Sequence, residues 1–178
     1  MNVRKIVICT TIIFVGYNYA ASNDTEAVIR AITGAHTRLF SVDDLYKKRL
    51  DAADVNEWNK VLGEIRNFVN KNGSEYISYF NSLSGASDDL INGIKLIYNT
   101  KTNKAQIQNQ INILQRAKEK VIAAENALDR ESSKLKGKIL TSAATKKTKQ
   151  NVLDILGRLA LTLELTTNKA INDARKLQ

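Results

Sequence analysis

The sequence predicts an all-α protein: a single-domain bundle of five to six amphipathic helices, the last two forming a long antiparallel hairpin. The chain has 178 residues and no proline, although average usage near 5% would give about nine. After residue 22, apolar residues recur at spacings of three and four along nearly the whole chain, which is the period of an amphipathic helix. Hydrophobic residues make up 43% of the chain and charged residues 25%, so there is enough apolar surface for one core.

The first 21 residues are predicted to be a secretory signal peptide. Arg4 and Lys5 precede an apolar stretch over residues 6–15, which is shorter than the roughly 20 residues that span a bilayer. A basic segment followed by a short apolar one is typical of a signal for export. We therefore expect an extracellular domain over 22–178 with no membrane span. The alternative is that this stretch forms a buried N-terminal helix of the fold.

Export would change the covalent chemistry open to the chain. Cys9 is the only cysteine, so a chain cleaved near residue 21 has no disulfide and must be held together by packing. Two glycosylation triplets also become relevant, at Asn23 and at Asn72. Asn72 precedes Gly73 and is expected in a loop, which makes it the better candidate.

Two or three helices are predicted over residues 23–70. Asn23 or Asp24 can cap the first, and Ser41 begins a second. Asp54 stands three residues before Glu57 in the form of a capping box, and an apolar stripe follows from Trp58 to Val69. Whether 42–70 is one helix or two is open. Gly73 is expected to end this part in a left-handed conformation.

Two shorter helices are expected next. Residues 74–84 place Tyr76, Phe80 and Leu83 on one face, and Gly85 would stop that helix. Asp88 and Asp89 would then open another, because negative charge is favourable at a helix N-terminus. A polar connection is expected over 99–103.

The longest helix is predicted over about 104–140. Its apolar residues repeat every seven positions, at Ile107, Leu114, Val121, Leu128 and Leu135. Such a helix would be roughly 54 Å long at 1.5 Å per residue. Because Lys118 and Glu125 interrupt the second seam position, the repeat can line a bundle or pair two copies into a homo-oligomer through 107–135.

The last helix contains one ambiguous segment, residues 159–166, in which apolar and polar residues alternate as in a strand. We predict a helix there, because the helical stripe continues on both sides and leucine favours helices.

Positive charge is concentrated near the predicted hairpin turn. Residues 22–100 have a net charge of −2 and residues 151–178 of +1, whereas residues 101–150 have twelve basic and four acidic residues, a net of +8. The densest part contains Arg130, Lys134, Lys136, Lys138, Lys146, Lys147 and Lys149. This Lys-rich tip is a candidate site for an anionic macromolecule or an acidic membrane surface. The alternative is a solvated turn that only aids solubility.

The residues of known catalytic and metal sites are scarce. One histidine, His36, cannot build a zinc site without cysteines or a second histidine. It is one position from the apolar stripe of its helix and is expected on the helix surface or at the boundary of the buried face. The acidic pairs at 43–44 and 88–89 are explained as helix starts rather than as glycosidase carboxylates. Trp58 is expected in the core, whereas Tyr79 is offset from the buried face. The sequence thus predicts no metal, no cofactor and no enzyme.

A secreted, non-catalytic binding protein is the leading functional hypothesis, with the Lys-rich tip as its contact surface. Lysine dominates over arginine and no aromatic residue lies among the lysines, which disfavours nucleic acid as the partner. Two alternatives remain: a carrier of an apolar, lipid-like ligand held between helices, and a structural protein that oligomerises through its heptads.

Overall fold

The protein is all-α, as predicted. The computed structural model describes residues 23–41, 46, 49–100, 103–137 and 142–178, and the predicted signal peptide lies outside them. The described residues contain no strand. They form five α-helices: α1 (Asn23–Phe40), α2 (Ala52–Asn72), α3 (Ile77–Thr100), α4 (Lys104–Gly137) and α5 (Ala143–Arg175), with a 3-10 turn (Ser74–Tyr76) before α3.

Helices α4 and α5 form the predicted antiparallel hairpin. At its closed end the Lys146 ammonium donates to the carbonyl of Lys136 over 2.9 Å, and at its open end Gln178 donates to the Gln108 side chain over 2.7 Å. Helix α3 also packs against α4, and it contacts α5 as well. The heptad residues of α4 are buried between these two neighbours.

Helix α5 lies at the centre of the bundle and contacts each of the other four helices. Segment 159–166 is helical, as predicted. Leu159 and Leu163, four residues apart, are buried, whereas Leu165 is half exposed. The buried residues Leu159, Ala160 and Leu163 thus follow the spacing of a helix that contacts several neighbours, and the alternating leucines do not share one buried face.

The predicted break in α3 is wrong. Gly85 and Ser87 lie inside a continuous helix, and Gly85 has no positive φ angle. Ser87 is fully buried, and its hydroxyl accepts a 2.7 Å hydrogen bond from the indole nitrogen of Trp58. Ser87, whose residue type suggested the start of a helix, is therefore an interior residue whose hydroxyl satisfies the buried indole N–H.

The start of α2 was predicted three residues too late. Asp51 is the N-cap, and its side chain accepts a 2.7 Å hydrogen bond from the Ala53 amide, while Asp54 lies in the first turn. The chain is thus not helical at Asp51, so 42–70 is not one continuous helix. Of the predicted second helix, the described residues Ser41, Tyr46, Arg49 and Leu50 are not helical. Most of the rest lies outside the described residues.

Gly73 ends α2, but not in the left-handed conformation that was expected, since its φ is −174°. The glycine is needed for space. A Cβ at this position would lie 2.9 Å from the Tyr76 ring and 3.3 Å from Val152.

Candidate functional site

The closed end of the hairpin is built by the cap of α5. Ser142 is the N-cap, and its hydroxyl accepts a 3.0 Å hydrogen bond from the Thr145 amide. This places Lys146 one turn into α5, where its ammonium reaches the carbonyl of Lys136 in the last turn of α4. A cation that binds a helix C-terminal carbonyl also interacts favourably with the helix dipole. Lys146 is therefore partly engaged in holding the turn.

On α4, two of the predicted site residues lie side by side. Arg130 and Lys134 are four residues apart on one exposed face. The Lys134 ammonium is 2.8 Å from the Glu131 carboxylate, and that hydrogen bond raises the pKa of Lys134. Lys136 is also exposed, but two residues turn a helix by about 200°, so it faces a different direction.

On α5, the remaining lysines diverge. The Lys149 ammonium is 2.5 Å from the Glu75 carboxylate in the 3-10 turn, and this hydrogen bond raises the pKa of Lys149. Lys147 lines a cleft on the side of α1 and α2, together with Asp24 and Glu64.

The structure thus brings Arg130 and Lys134 together and joins Lys146 to the end of α4. It directs Lys136 and Lys147 to other sides of the hairpin end, whereas Lys149 and the Lys134–Glu131 pair both lie near the stacked rings of Tyr76 and Tyr79. Lys138 lies outside the described residues. The described cations surround the end of the hairpin rather than forming one compact patch.

Two cations on the same face of α4 were missed at the sequence level. Arg116 and Lys120 are exposed, and steps of three and four residues lead from Arg116 through Lys120, Ala123, Ala127 and Arg130 to Lys134. This set of four cations is called here the α4 cation row. The signal was present in the sequence as two cations spaced four apart and a second such pair 14 positions further along the chain. It becomes visible only once the buried side of α4 is known.

The better sequon, Asn72, does not lie in a loop. It is the last residue of α2 and half-buried, and its amide nitrogen donates to the Phe68 carbonyl over 2.9 Å. It lines the same cleft as Lys147, which has a volume of about 570 Å³ and contains Val28 and Phe68 beside its charged residues. Asn23, the other sequon, is the first residue of α1.

A second cleft, of about 590 Å³, lies between the start of α2 and the end of α3. Ile94 and Tyr98 line it together with Arg49, Asp51 and Lys95. Both clefts open to solvent and combine apolar with charged residues. Neither has the enclosed, mostly apolar lining of a lipid site, so the hypothesis of an apolar-ligand carrier gains no support from them.

The heptad seam of α4 is occupied within the chain. Ile107, Leu114 and Val121 are fully buried, and Leu128 and Leu135 nearly so, against α3 and α5. Because the same side chains cannot also face a second copy, a homo-oligomer through 107–135 would require the hairpin to open.

His36 occupies the boundary position that was predicted for it. The ring nitrogen Nε2 lies 2.6 Å from the Thr166 hydroxyl on α5, and the ring contacts Phe40. Since the Thr166 hydroxyl donates to the carbonyl of Thr162 over 2.8 Å, it can only accept from Nε2. Burial lowers the pKa of His36. The neutral ring thus joins α1 to α5, and this is a structural contact.

Of the two acidic pairs that were predicted to begin helices, only Asp88 and Asp89 lie within the described residues. Residues 43–44 lie outside the described residues. Asp88 and Asp89 lie within α3, so helix capping does not explain them, and Asp89 accepts a 2.6 Å hydrogen bond from Lys120 on α4.

A different carboxyl pair, Glu125 and Glu164, joins α4 to α5; burial and the charge of Glu164 raise the pKa of Glu125. Within the described part of the chain, no three histidine, cysteine or acidic residues are grouped so that they could hold a metal ion.

Trp58 lies in the core, as predicted, whereas Tyr79 is only partly exposed. Trp58 is fully buried and contacts the Phe40 ring edge-on. Tyr79 is half-buried and stacks on Tyr76 at a centroid distance of 6.4 Å.

None of the helices in the described ranges is long and apolar enough to cross a membrane. Comparison with known proteins finds no matching family model, no matching curated protein and no matching solved structure.

Proposed function

We propose that this chain is a secreted, non-catalytic binding protein that engages an anionic macromolecule through the basic end of its α4–α5 hairpin. The observation that carries the proposal is the net charge of +8 in residues 101–150, together with the exposure of Arg130, Lys134, Lys136 and Lys147 near the turn. An excess of exposed cations at one end of a molecule attracts an anionic surface, and salt screens that attraction over about 8 Å at physiological ionic strength.

The ion pairs at this end do not remove its affinity for anions. Lys134 pairs with Glu131 and Lys149 with Glu75, and the lysine side chains keep 61% and 31% of their surface exposed. Exposed pairs of this kind contribute about 0–1 kcal/mol. A polyanion with several charges can therefore replace the carboxylates at little cost.

Retention on immobilised heparin, measured against salt, tests the proposal. The variant changes Lys134, Lys136, Lys138, Lys146, Lys147 and Lys149 to glutamine. A matched variant removes six exposed cations elsewhere: Arg30, Lys60, Arg66, Lys95, Lys104 and Arg175. We expect the first variant to elute at much lower salt than the second, although their net charges are equal. Equal elution would mean that only net charge matters, and unchanged elution of the first variant would refute the proposed site.

Export is tested separately. When the full chain is expressed in cells that secrete proteins, the medium should contain a protein whose first residue is near residue 22. Sequencing of its N-terminus checks this expectation, and an intact Met1 on the exported protein would contradict the predicted cleavage.

A further inference from the structure

The α4 cation row extends the basic region far beyond the hairpin end. Arg116, Lys120, Arg130 and Lys134 all lie on the exposed side of one continuous helix. Helix α4 packs on α3 and α5, and its heptad residues face those neighbours, so this side is directed to solvent. At 1.5 Å per residue, the row is roughly 27 Å long.

The spacing within the row selects the shape of the ligand. Each pair of cations is about 6 Å long, and the gap between the two pairs, from Lys120 to Arg130, is roughly 15 Å along the axis. Screening over about 8 Å prevents both pairs from acting on one small anion. A linear polyanion that lies along α4 would contact all four cations at once.

The chemistry between the two pairs argues against a membrane and against nucleic acid. Ala123 and Ala127 separate the pairs, whereas a helix that lies in a bilayer surface needs large apolar residues to insert beside its cations. Helix α4 contains no aromatic residue, so the helix itself offers no platform on which bases could stack.

The acidic residues near the row are few and exchangeable. Asp89 contacts Lys120 over 2.6 Å and Glu131 contacts Lys134 over 2.8 Å, and Glu119 is exposed beside the row. In both pairs the lysine is more than half exposed, so a sulfate group can displace the carboxylate partner.

We infer that the exposed face of α4 from Arg116 to Lys134 binds one extended sulfated polysaccharide chain along the helix axis. This inference rests on the proposed function. It names the class of the partner and adds a second half to the site, remote from the hairpin turn.

Heparin fragments of graded length test the inference by titration calorimetry. Fragments longer than the row should bind the unmodified protein roughly tenfold more tightly than fragments that cover only one pair. The R116Q/K120Q variant should lose that gain for long fragments and keep its affinity for short ones, which still bind at the hairpin end. The matched variant K60Q/R66Q, with equal net charge, should bind long fragments as the unmodified protein does.

A second variant separates ligand contact from a structural role of Lys120. Asp89→Asn removes the ion pair and keeps the cation, so long-fragment affinity should be unchanged or higher. If Asp89→Asn instead reproduces the loss, Lys120 acts only as a bridge between α3 and α4, and the inference is wrong. Circular dichroism and the Tm of each variant check that the fold is retained.

Three further outcomes would overturn the inference: R116Q/K120Q binding long fragments as tightly as K60Q/R66Q, affinity that does not grow with fragment length, or tighter binding to acidic vesicles or duplex DNA than to long heparin fragments. If the lysine-to-glutamine variant of the tip abolishes binding while R116Q/K120Q does not, the proposed function stands and only the inference fails. If no heparin fragment binds the unmodified protein, both fail.

Discussion

Replacing Gly93 with alanine should destabilise the protein relative to the same change at Gly85, although both glycines lie in the interior of α3. A Cβ at Gly93 would lie 2.6 Å from Cδ2 of Leu114 and 3.1 Å from its Cγ, whereas a Cβ at Gly85 has no atom within 4 Å. Leu114 is fully buried on α4. The methyl group therefore has to displace a core side chain or push α3 and α4 apart.

The magnitude follows from two opposing effects. Alanine in place of glycine inside a helix stabilises it by about 1 kcal/mol at both positions. Overpacking a core typically costs about 1–3 kcal/mol, and only Gly93 pays it. We expect Gly85→Ala to gain about 1 kcal/mol, and Gly93→Ala to be about 1–3 kcal/mol less stable than Gly85→Ala.

Urea unfolding followed by Trp58 fluorescence and by circular dichroism measures both variants. In a Leu114→Ala background the difference between the two glycine variants should fall towards zero, because the obstructing side chain is gone. Equal stability of Gly93→Ala and Gly85→Ala in the unmodified background would refute the reasoning.

Three further predictions concern buried polar groups. Ser87→Ala should cost about 1–3 kcal/mol, because it leaves the indole N–H of buried Trp58 without an acceptor; a loss no greater than that of a surface serine such as Ser82→Ala, measured by urea unfolding, would contradict this. Burial lowers the pKa of His36 in the folded protein, so the unfolded chain takes up a proton first as the pH drops below its unfolded pKa of about 6.5, and stability should fall. In His36→Gln the Tm should therefore decrease less between pH 7 and pH 5 than in the unmodified protein. An equal decrease of the Tm in both proteins would contradict this. Burial and the charge of Glu164 raise the pKa of Glu125, and Glu164→Gln removes the repulsion, so it should raise the Tm at pH 7. The gain in Tm should shrink as the pH falls through the pKa of Glu125. A lower Tm at pH 7 would show that the pair is not repulsive.

The long helices could be predicted because the apolar residues of their buried faces recur at regular spacings in the sequence. The seven-residue repeat from Ile107 to Leu135 gave α4 its extent and its buried side, and the leucines of 152–163 did the same for α5. The errors fall where a polar residue has two possible roles. Ser87 has the side chain of an N-cap, and only its contact with Trp58 shows that it is interior.

The candidate site was predicted in part for the same reason. The excess of charge near the turn is a property of composition, so counting found it. Lys149 pairs with Glu75 and Lys147 lines a cleft together with Glu64, and both of these acidic residues are distant in sequence. The α4 cation row was missed because the charges were grouped by position along the chain rather than by helix face.

The sequence alone determined that the chain is helical, which faces of its long helices are apolar and where its positive charge is concentrated, because these depend on neighbours within one or two turns. Only the tertiary structure decided that α5 is the central helix and that α3 continues through Gly85. Each of these depends on which helices come into contact, and that contact joins residues tens of positions apart.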